Sequence, residues 1–129
     1  MLEFFRSRAR SFRYAFSGWW FVIRTQKNAW IHAVISGLVV IMAFWLRLST
    51  QDIAVLILTI AVVWTAEFLN TALEAVVDLA SPQIHPLAKV GKDVGAAAVL
   101  IAALASIIIG LLIMGPPLLE KLQNLVSTR

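Results

Sequence analysis

Residues 53–78 form an apolar run of 26 residues that nevertheless carries Glu67, Asn70, Glu74 and Asp78 within it. As a helix the run spans about 39 Å at 1.5 Å per residue, longer than a bilayer core of ~30 Å. At about 100° per residue, the four polar positions fall within an ~80° sector of one helical face. An acid near mid-membrane costs roughly 2.5–3.5 kcal/mol on insertion scales. Glu67 lies eleven residues before Asp78, which puts it roughly 16 Å deeper along the axis. No side chain reaches that far toward water, so Glu67 must face a protein interior or a wet cavity. Whatever this chain folds into has to supply partners for that stripe.

Composition agrees with a membrane setting. The 129 residues are 60% hydrophobic and 14% charged, against about 45–50% and 25% in ordinary soluble domains. A soluble chain of this size could not bury so much apolar surface in one core. With no cysteine, a disulfide framework and a thiolate metal site are both excluded. The net charge of +4 matters less than its placement. Arg6, Arg8, Arg10, Arg13, Arg24 and Lys27 face one acid, Glu3, within residues 1–27. Beside so much apolar sequence, such an arm reads as facing a membrane and not a nucleic acid.

In chain order, residues 2–24 read as an amphipathic surface helix. Phe5, Phe12, Phe16, Trp19 and Ile23 share one stripe and Arg6, Arg10, Arg13 and Arg24 a neighbouring face, an arrangement suited to the headgroup layer. A signal peptide would instead show an uninterrupted apolar core and a cleavage site. Residues 29–46 are the first span, apolar apart from His32 and Ser36 and stopped by Arg47. After a short turn, with Asp52 or Thr50 as cap, the second span covers about 53–78. The 81–93 segment is expected to break the run, Pro82 and Pro86 ending the helix. The third span, 94–114, opens with Gly95-Ala-Ala-Ala98, small residues that admit close helix packing. Gly115-Pro-Pro117 is expected to end it, leaving 118–129 as a short amphipathic tail. The fold class is therefore all-α membrane protein, one domain over 1–129. The positive-inside tendency places the N-terminus and the 81–93 segment in the cytoplasm, on a multi-pass inner (plasma) membrane protein. The two polar segments then converge at that face.

Buried carboxylates with nearby lysines and a basic arm suit proton relay, cation transport or phosphoryl transfer. Phosphoryl transfer requires a metal, positive charge on the phosphates and a group to take the attacking hydroxyl's proton. Glu67, Glu74, Lys92 and Asp93 supply those chemical types. The soluble nucleotide motifs are missing: Gly91-Lys92 has Pro86 where a P-loop needs its first Gly and Asp93 where it needs Ser or Thr.

Glu67-Phe-Leu-Asn-Thr-Ala-Leu-Glu-Ala-Val-Val-Asp78, followed by Ala88-Lys-Val-Gly-Lys-Asp-Val-Gly-Ala-Ala-Ala-Val99, strongly resembles the small integral-membrane diacylglycerol kinase family. That family includes the undecaprenol kinases of Gram-positive bacteria. The resemblance runs from Phe12-x-x-Ala-Phe-x-Gly18 to the end of the third span, and ExxNxxxExxxD joined to KDxG at this separation is highly specific. It implies a homotrimer of three-span subunits with an N-terminal surface helix. It also implies transfer of the γ-phosphoryl of ATP, with Mg²⁺, to a lipid hydroxyl at the cytoplasmic interface. By the same resemblance Glu67 is the carboxylate that accepts the hydroxyl's proton, with Asn70 helping to hold the site. Glu74 binds the metal, Lys92 and Asp93 contact the nucleotide, and Gln83 and His85 match its nucleotide-contacting loop. Asp78 is a structural acid at the helix end.

One position departs from the pattern. Many members carry Glu where this chain has Gln26, which can ligate Mg²⁺ through its carbonyl but supplies no charge. His32 reads as a packing residue, Trp19, Trp20, Trp30 and Trp45 as interfacial belt, and Trp64 as lining a lipid path. The expected function is a lipid kinase, with undecaprenol favoured over diacylglycerol because Asn28-Ala-Trp-Ile-His32 looks like the Gram-positive branch. The alternatives are a small proton-coupled transporter, with Glu67 and Glu74 as relay, or a non-catalytic membrane subunit.

Overall fold

A computed structural model describes residues 1–81 (apart from the Leu2 side chain), 83 and 85–127. Among them the chain forms four helices: α1 Leu2–Thr25, α2 Lys27–Trp45, α3 Thr50–Ala80 and α4 Pro86–Ser127. Helices α2, α3 and α4 are long and apolar enough to cross a membrane. Packing of α3 on α4 is the most extensive, α2 lies against α3, and α1 touches both α2 and α3. The buried core is thin, with Ala29, Leu56, Val63 and Val99 among its apolar members. Most large apolar side chains on α2 to α4 point outward, as in a chain solvated by lipid.

Helices α1 and α2 meet at one extended residue, Gln26, with φ −99° and ψ 114°. Its N–H closes α1 on the Val22 carbonyl at 2.9 Å, and buried Val22 and Ala29 flank the joint. Most of α1 is exposed, and its arginines lie over its own aromatics. The Arg8, Arg13 and Arg24 guanidinium groups sit 5.0, 5.8 and 5.4 Å from the Phe4, Tyr14 and Trp20 rings. From the expected aromatic stripe, the half-exposed Trp19 stacks on Trp64 of α3 at 5.6 Å.

The turn from α2 to α3 is built from two caps. Leu48 N–H bonds the Ala43 carbonyl and Arg47 N–H the Phe44 carbonyl, both at 3.1 Å, a Schellman ending. Arg47 takes the left-handed position there, at φ 55°. Glycine usually fills it, and a side chain costs about 1–2 kcal/mol. The cap of α3 is Ser49 rather than the expected Asp52 or Thr50. Its Oγ accepts the Asp52 N–H at 3.2 Å and donates to the Asp52 carboxylate at 2.7 Å. Asp52 lies at the third helical position, where its carboxylate accepts from the capping hydroxyl and complements the helix dipole.

Two expectations about proline are corrected. Pro86 begins α4 instead of ending a helix, so 86–93 is helical, and α3 has already ended at Ala80. Proline suits the first helical position, where no N–H partner exists to lose. His85 caps it through Nδ1, which accepts the Leu87 N–H at 3.2 Å. Pro82 lies outside the described residues. At the other end, Pro116 and Pro117 lie inside α4, which continues to Ser127. The third span and the tail are one helix of about 63 Å at 1.5 Å per residue. A tertiary contact holds the part beyond the prolines. Lys121 Nζ donates to the Trp45 carbonyl at 2.5 Å and lies 4.1 Å from that indole's centroid. It thereby satisfies a carbonyl in the last turn of α2.

Candidate active site

The stripe on α3 meets three other elements. Glu74 sits at the centre of one group: its Oε1 accepts from Asn70 Nδ2 at 3.1 Å and its Oε2 from Gln26 Nε2 at 3.4 Å. The α1–α2 joint is thus tied to the C-terminal third of α3. Asn70 and Glu74 are four residues apart on one helix face, which makes their bond local. The Gln26 bond spans 48 residues and depends on the fold.

Asn70 lies against Gly95 of α4. A Cβ at Gly95 would collide with Asn70 Oδ1 and approach Leu73 Cδ2 to 3.1 Å. Gly95 is buried, and its missing side chain is what lets the Asn70 amide lie flat toward Glu74. Close packing by small residues at the start of the third span is thus realised at Gly95. Asn70 Oδ1 itself is buried with no hydrogen-bond partner among the described residues.

Two turns deeper, Glu67 is the largest fully buried side chain, 2% exposed. Its Oε2 lies 3.8 Å from His32 Nε2 of α2, and neither atom has a hydrogen-bond partner among the described residues. Thr71 Oγ1 folds back on the Glu67 carbonyl at 2.9 Å. An aromatic wall closes this side. Trp64 stands edge-on to His32 and near Phe68, with centroids 6.4 and 5.8 Å apart. Its indole N–H donates to Ser36 Oγ at 3.3 Å.

Toward the end of α3 the charges are exposed and paired. Lys92 bonds Asp78 across the helix pair at 2.5 Å, and Lys89 bonds Asp93 within α4 at 2.6 Å. Gln83 and His85 are exposed in the connecting turn. The Gln83 carbonyl accepts from Ser81 Oγ at 2.9 Å, and the His85 ring caps α4.

A sequence model of prokaryotic diacylglycerol kinase matches residues 13–114. The chain belongs to the prokaryotic diacylglycerol kinase family. It is 47% identical over 111 residues to a diacylglycerol kinase of Synechocystis sp., covering 85% of this chain and 63% of that protein. It is 42% identical over 109 residues to an undecaprenol kinase of Bacillus subtilis, covering 84% and 89%. With a diacylglycerol kinase of Escherichia coli it shares 41% over 71 residues, 55% and 58% of the two chains. The match thus spans less than two thirds of the Synechocystis and Escherichia coli proteins.

Set against the expectations drawn from the family, the structure brings Gln26, Asn70 and Glu74 into one bonded group, while Lys92 pairs with Asp78. Asp93 turns to Lys89. Gln83 and His85 remain exposed between α3 and α4, with the His85 ring capping α4. His32, expected to pack, faces Glu67. The signal was present in the sequence: His32 and Ser36 are the polar residues of an otherwise apolar span, four apart and hence on one face.

The donor set bears on the metal. Among the described residues no three His, Asp or Glu side chains converge to hold an ion. One carboxylate, Glu74, with a neutral amide beside it does not make a cage for a free ion. It fits Mg²⁺ arriving with its nucleotide, since that ion is commonly held by one or two carboxylates plus phosphates and water.

Proposed function

We propose that this protein is a membrane lipid kinase, transferring the γ-phosphoryl of ATP to the hydroxyl of a lipid alcohol. The observation that carries the reading is the buried Glu67 carboxylate, two helical turns from the Glu74–Asn70–Gln26 group on a helix of membrane-spanning length. A carboxylate there can take a proton from an alcohol arriving through the bilayer, while the nucleotide approaches over the exposed end of α3.

In this reading Glu67 accepts the hydroxyl proton and Asn70 holds Glu74 in position. Glu74, with Gln26, would hold Mg²⁺, which when bound supplies positive charge to the phosphates. Lys92 and Asp93 contact the nucleotide, with Gln83 and His85 at its edge. Lys92 must leave Asp78 to reach a phosphate. That exchange is cheap, because exposed ion pairs are worth only about 0.2–1 kcal/mol. The functional unit is a homotrimer embedded in the inner membrane as one domain. Helix α1 lies in the headgroup layer, and its basic residues and the Lys89–Lys92 end of α4 are in the cytoplasm.

Relatives named for each lipid are similar to this chain. Undecaprenol is the favoured acceptor, supported by the Asn28-Ala-Trp-Ile-His32 segment and by the nearly full-length match to the relative named for it. The test is direct. Purified protein in lipid, with labelled ATP, Mg²⁺ and either undecaprenol or diacylglycerol, is expected to yield phosphorylated lipid, faster with undecaprenol. No product from either alcohol overturns the kinase reading.

A further inference from the structure

Two buried polar atoms of complementary chemistry face each other across the α2–α3 contact and do not bond. His32 Nε2 and Glu67 Oε2 are 3.8 Å apart, beyond the 2.7–3.2 Å of an N–H···O bond. Neither has another partner among the described residues. Leaving such groups unsatisfied is unfavourable, and the packing does not close the gap. The rings around them explain why. Trp64 packs edge-on to the His32 ring, is pinned to Ser36 by its indole N–H, and is stacked from outside by Trp19. The imidazole is therefore held, with its side chain 14% exposed, and cannot simply swing onto the carboxylate.

A gap of this width between a donor nitrogen and an acceptor oxygen is spanned by one oxygen atom that hydrogen-bonds to both. A hydroxyl has the right valences: it donates its proton to a carboxylate and accepts from an imidazole N–H. We propose that His32 is a catalytic residue that holds the lipid acceptor's hydroxyl, its Nε2–H bonding the oxygen while the O–H points to Glu67. This rests on the kinase reading and adds a second contact to the acceptor. In the transfer step the O–H bond breaks and its proton passes to the Glu67 carboxylate. The freed electron pair forms the bond to γ-phosphorus, and the bond from that phosphorus to the bridging oxygen breaks, releasing ADP. His32 keeps its proton throughout. Its part is to aim the oxygen, leaving one lone pair free to attack.

The experiment compares wild type with His32→Leu, which keeps bulk without a donor, and His32→Gln, whose amide nitrogen reaches the Nε2 position. Phosphorylation of undecaprenol and diacylglycerol is measured in lipid. In parallel, tryptophan fluorescence follows binding of each alcohol and of its deoxy analogue without nucleotide. His32→Leu is expected to lower kcat/KM for the alcohol about 10- to 100-fold, the scale seen when one aimed donor is removed. KM for MgATP should be unchanged, and His32→Gln should recover most of the rate. The wild-type preference for alcohol over deoxy analogue should vanish in His32→Leu. A wild-type rate in His32→Leu overturns the proposal. So does an equal loss in both variants with the alcohol preference intact, which marks a packing role. If His32→Leu fails to fold by circular dichroism, His32→Asn replaces it, its amide falling one carbon short. Equal rates in the Asn and Gln variants then overturn the proposal. If wild type phosphorylates neither lipid, the kinase reading fails, and the alcohol-versus-deoxy difference still decides whether His32 holds a hydroxyl.

Discussion

Glu67 and Asp78 share one face of α3 and sit in opposite circumstances. Glu67 is enclosed, with an oxygen that no group in the described chain satisfies. Asp78, with its side chain 64% exposed, already holds Lys92. The sequence pattern treats them alike, as acids in a stripe, and their surroundings separate them. Low dielectric makes every charge interaction at Glu67 stronger and every missing partner more costly, whereas water and salt mute those at Asp78. The deep acid is built to wait for a ligand, and the shallow one to give its partner up to one.

Substitutions at each level can break that contrast. The largest effect should come from Glu67→Gln, with phosphorylated lipid falling about 10²–10⁴-fold, the usual contribution of an aimed proton acceptor. Its thermal stability should hold or rise, because a buried acid with an unsatisfied oxygen becomes a neutral amide. Full activity in that variant would erase the distinction between the two acids. Next, Gly95→Val should lower stability by about 1–3 kcal/mol through overpacking against Asn70 and Leu73, read by thermal unfolding in detergent. Combining it with Asn70→Ala should recover part of that loss, since neighbouring sites couple. An unchanged loss would show that the collision lies elsewhere.

Gln26→Glu places a second carboxylate against Glu74. Apparent Mg²⁺ affinity in the ATP reaction should tighten on the order of tenfold, as ligand charge tunes these sites, and metal-free stability should drop. No change in Mg²⁺ dependence would remove position 26 from the metal's surroundings. The smallest effect belongs to Asp78→Asn. Unfolding should shift by less than about 1 kcal/mol, and KM for MgATP should fall about two- to fivefold as Lys92 is released. A large stability loss there would mean that the exposed pair is structural after all.

Much of this arrangement was legible in the sequence where energetics left little choice. Acids inside an apolar run had to turn toward protein, so Glu67, Asn70 and Glu74 could be placed on one face before any coordinates. Small residues after Lys92 likewise announced a close helix contact, which Gly95 makes. Legibility ended where a residue's meaning depends on what lies across from it. Pro116 looked like a stop because local rules penalise it, and the Lys121–Trp45 clamp that carries α4 past it joins residues 76 apart. Pro86 departs from the same rule for a subtler reason: proline is hostile to a helix interior and welcome at its first position. His32 was ambiguous in its own span and became specific only when α3 brought Glu67 opposite.

Gln26 combines two duties in one residue. It is the extended joint between α1 and α2, and its side chain is one of the two amides on Glu74. Backbone torsion and the carboxylate's hydrogen bonding are therefore coupled at this position. A glycine would loosen the elbow and strip the amide in the same stroke, and a proline would fix the elbow while forfeiting the Val22 bond. Any repositioning of α1 relative to α2 must pass through the φ and ψ of the residue that touches Glu74, so the tilt of one helix becomes a mechanical input to the carboxylate's geometry.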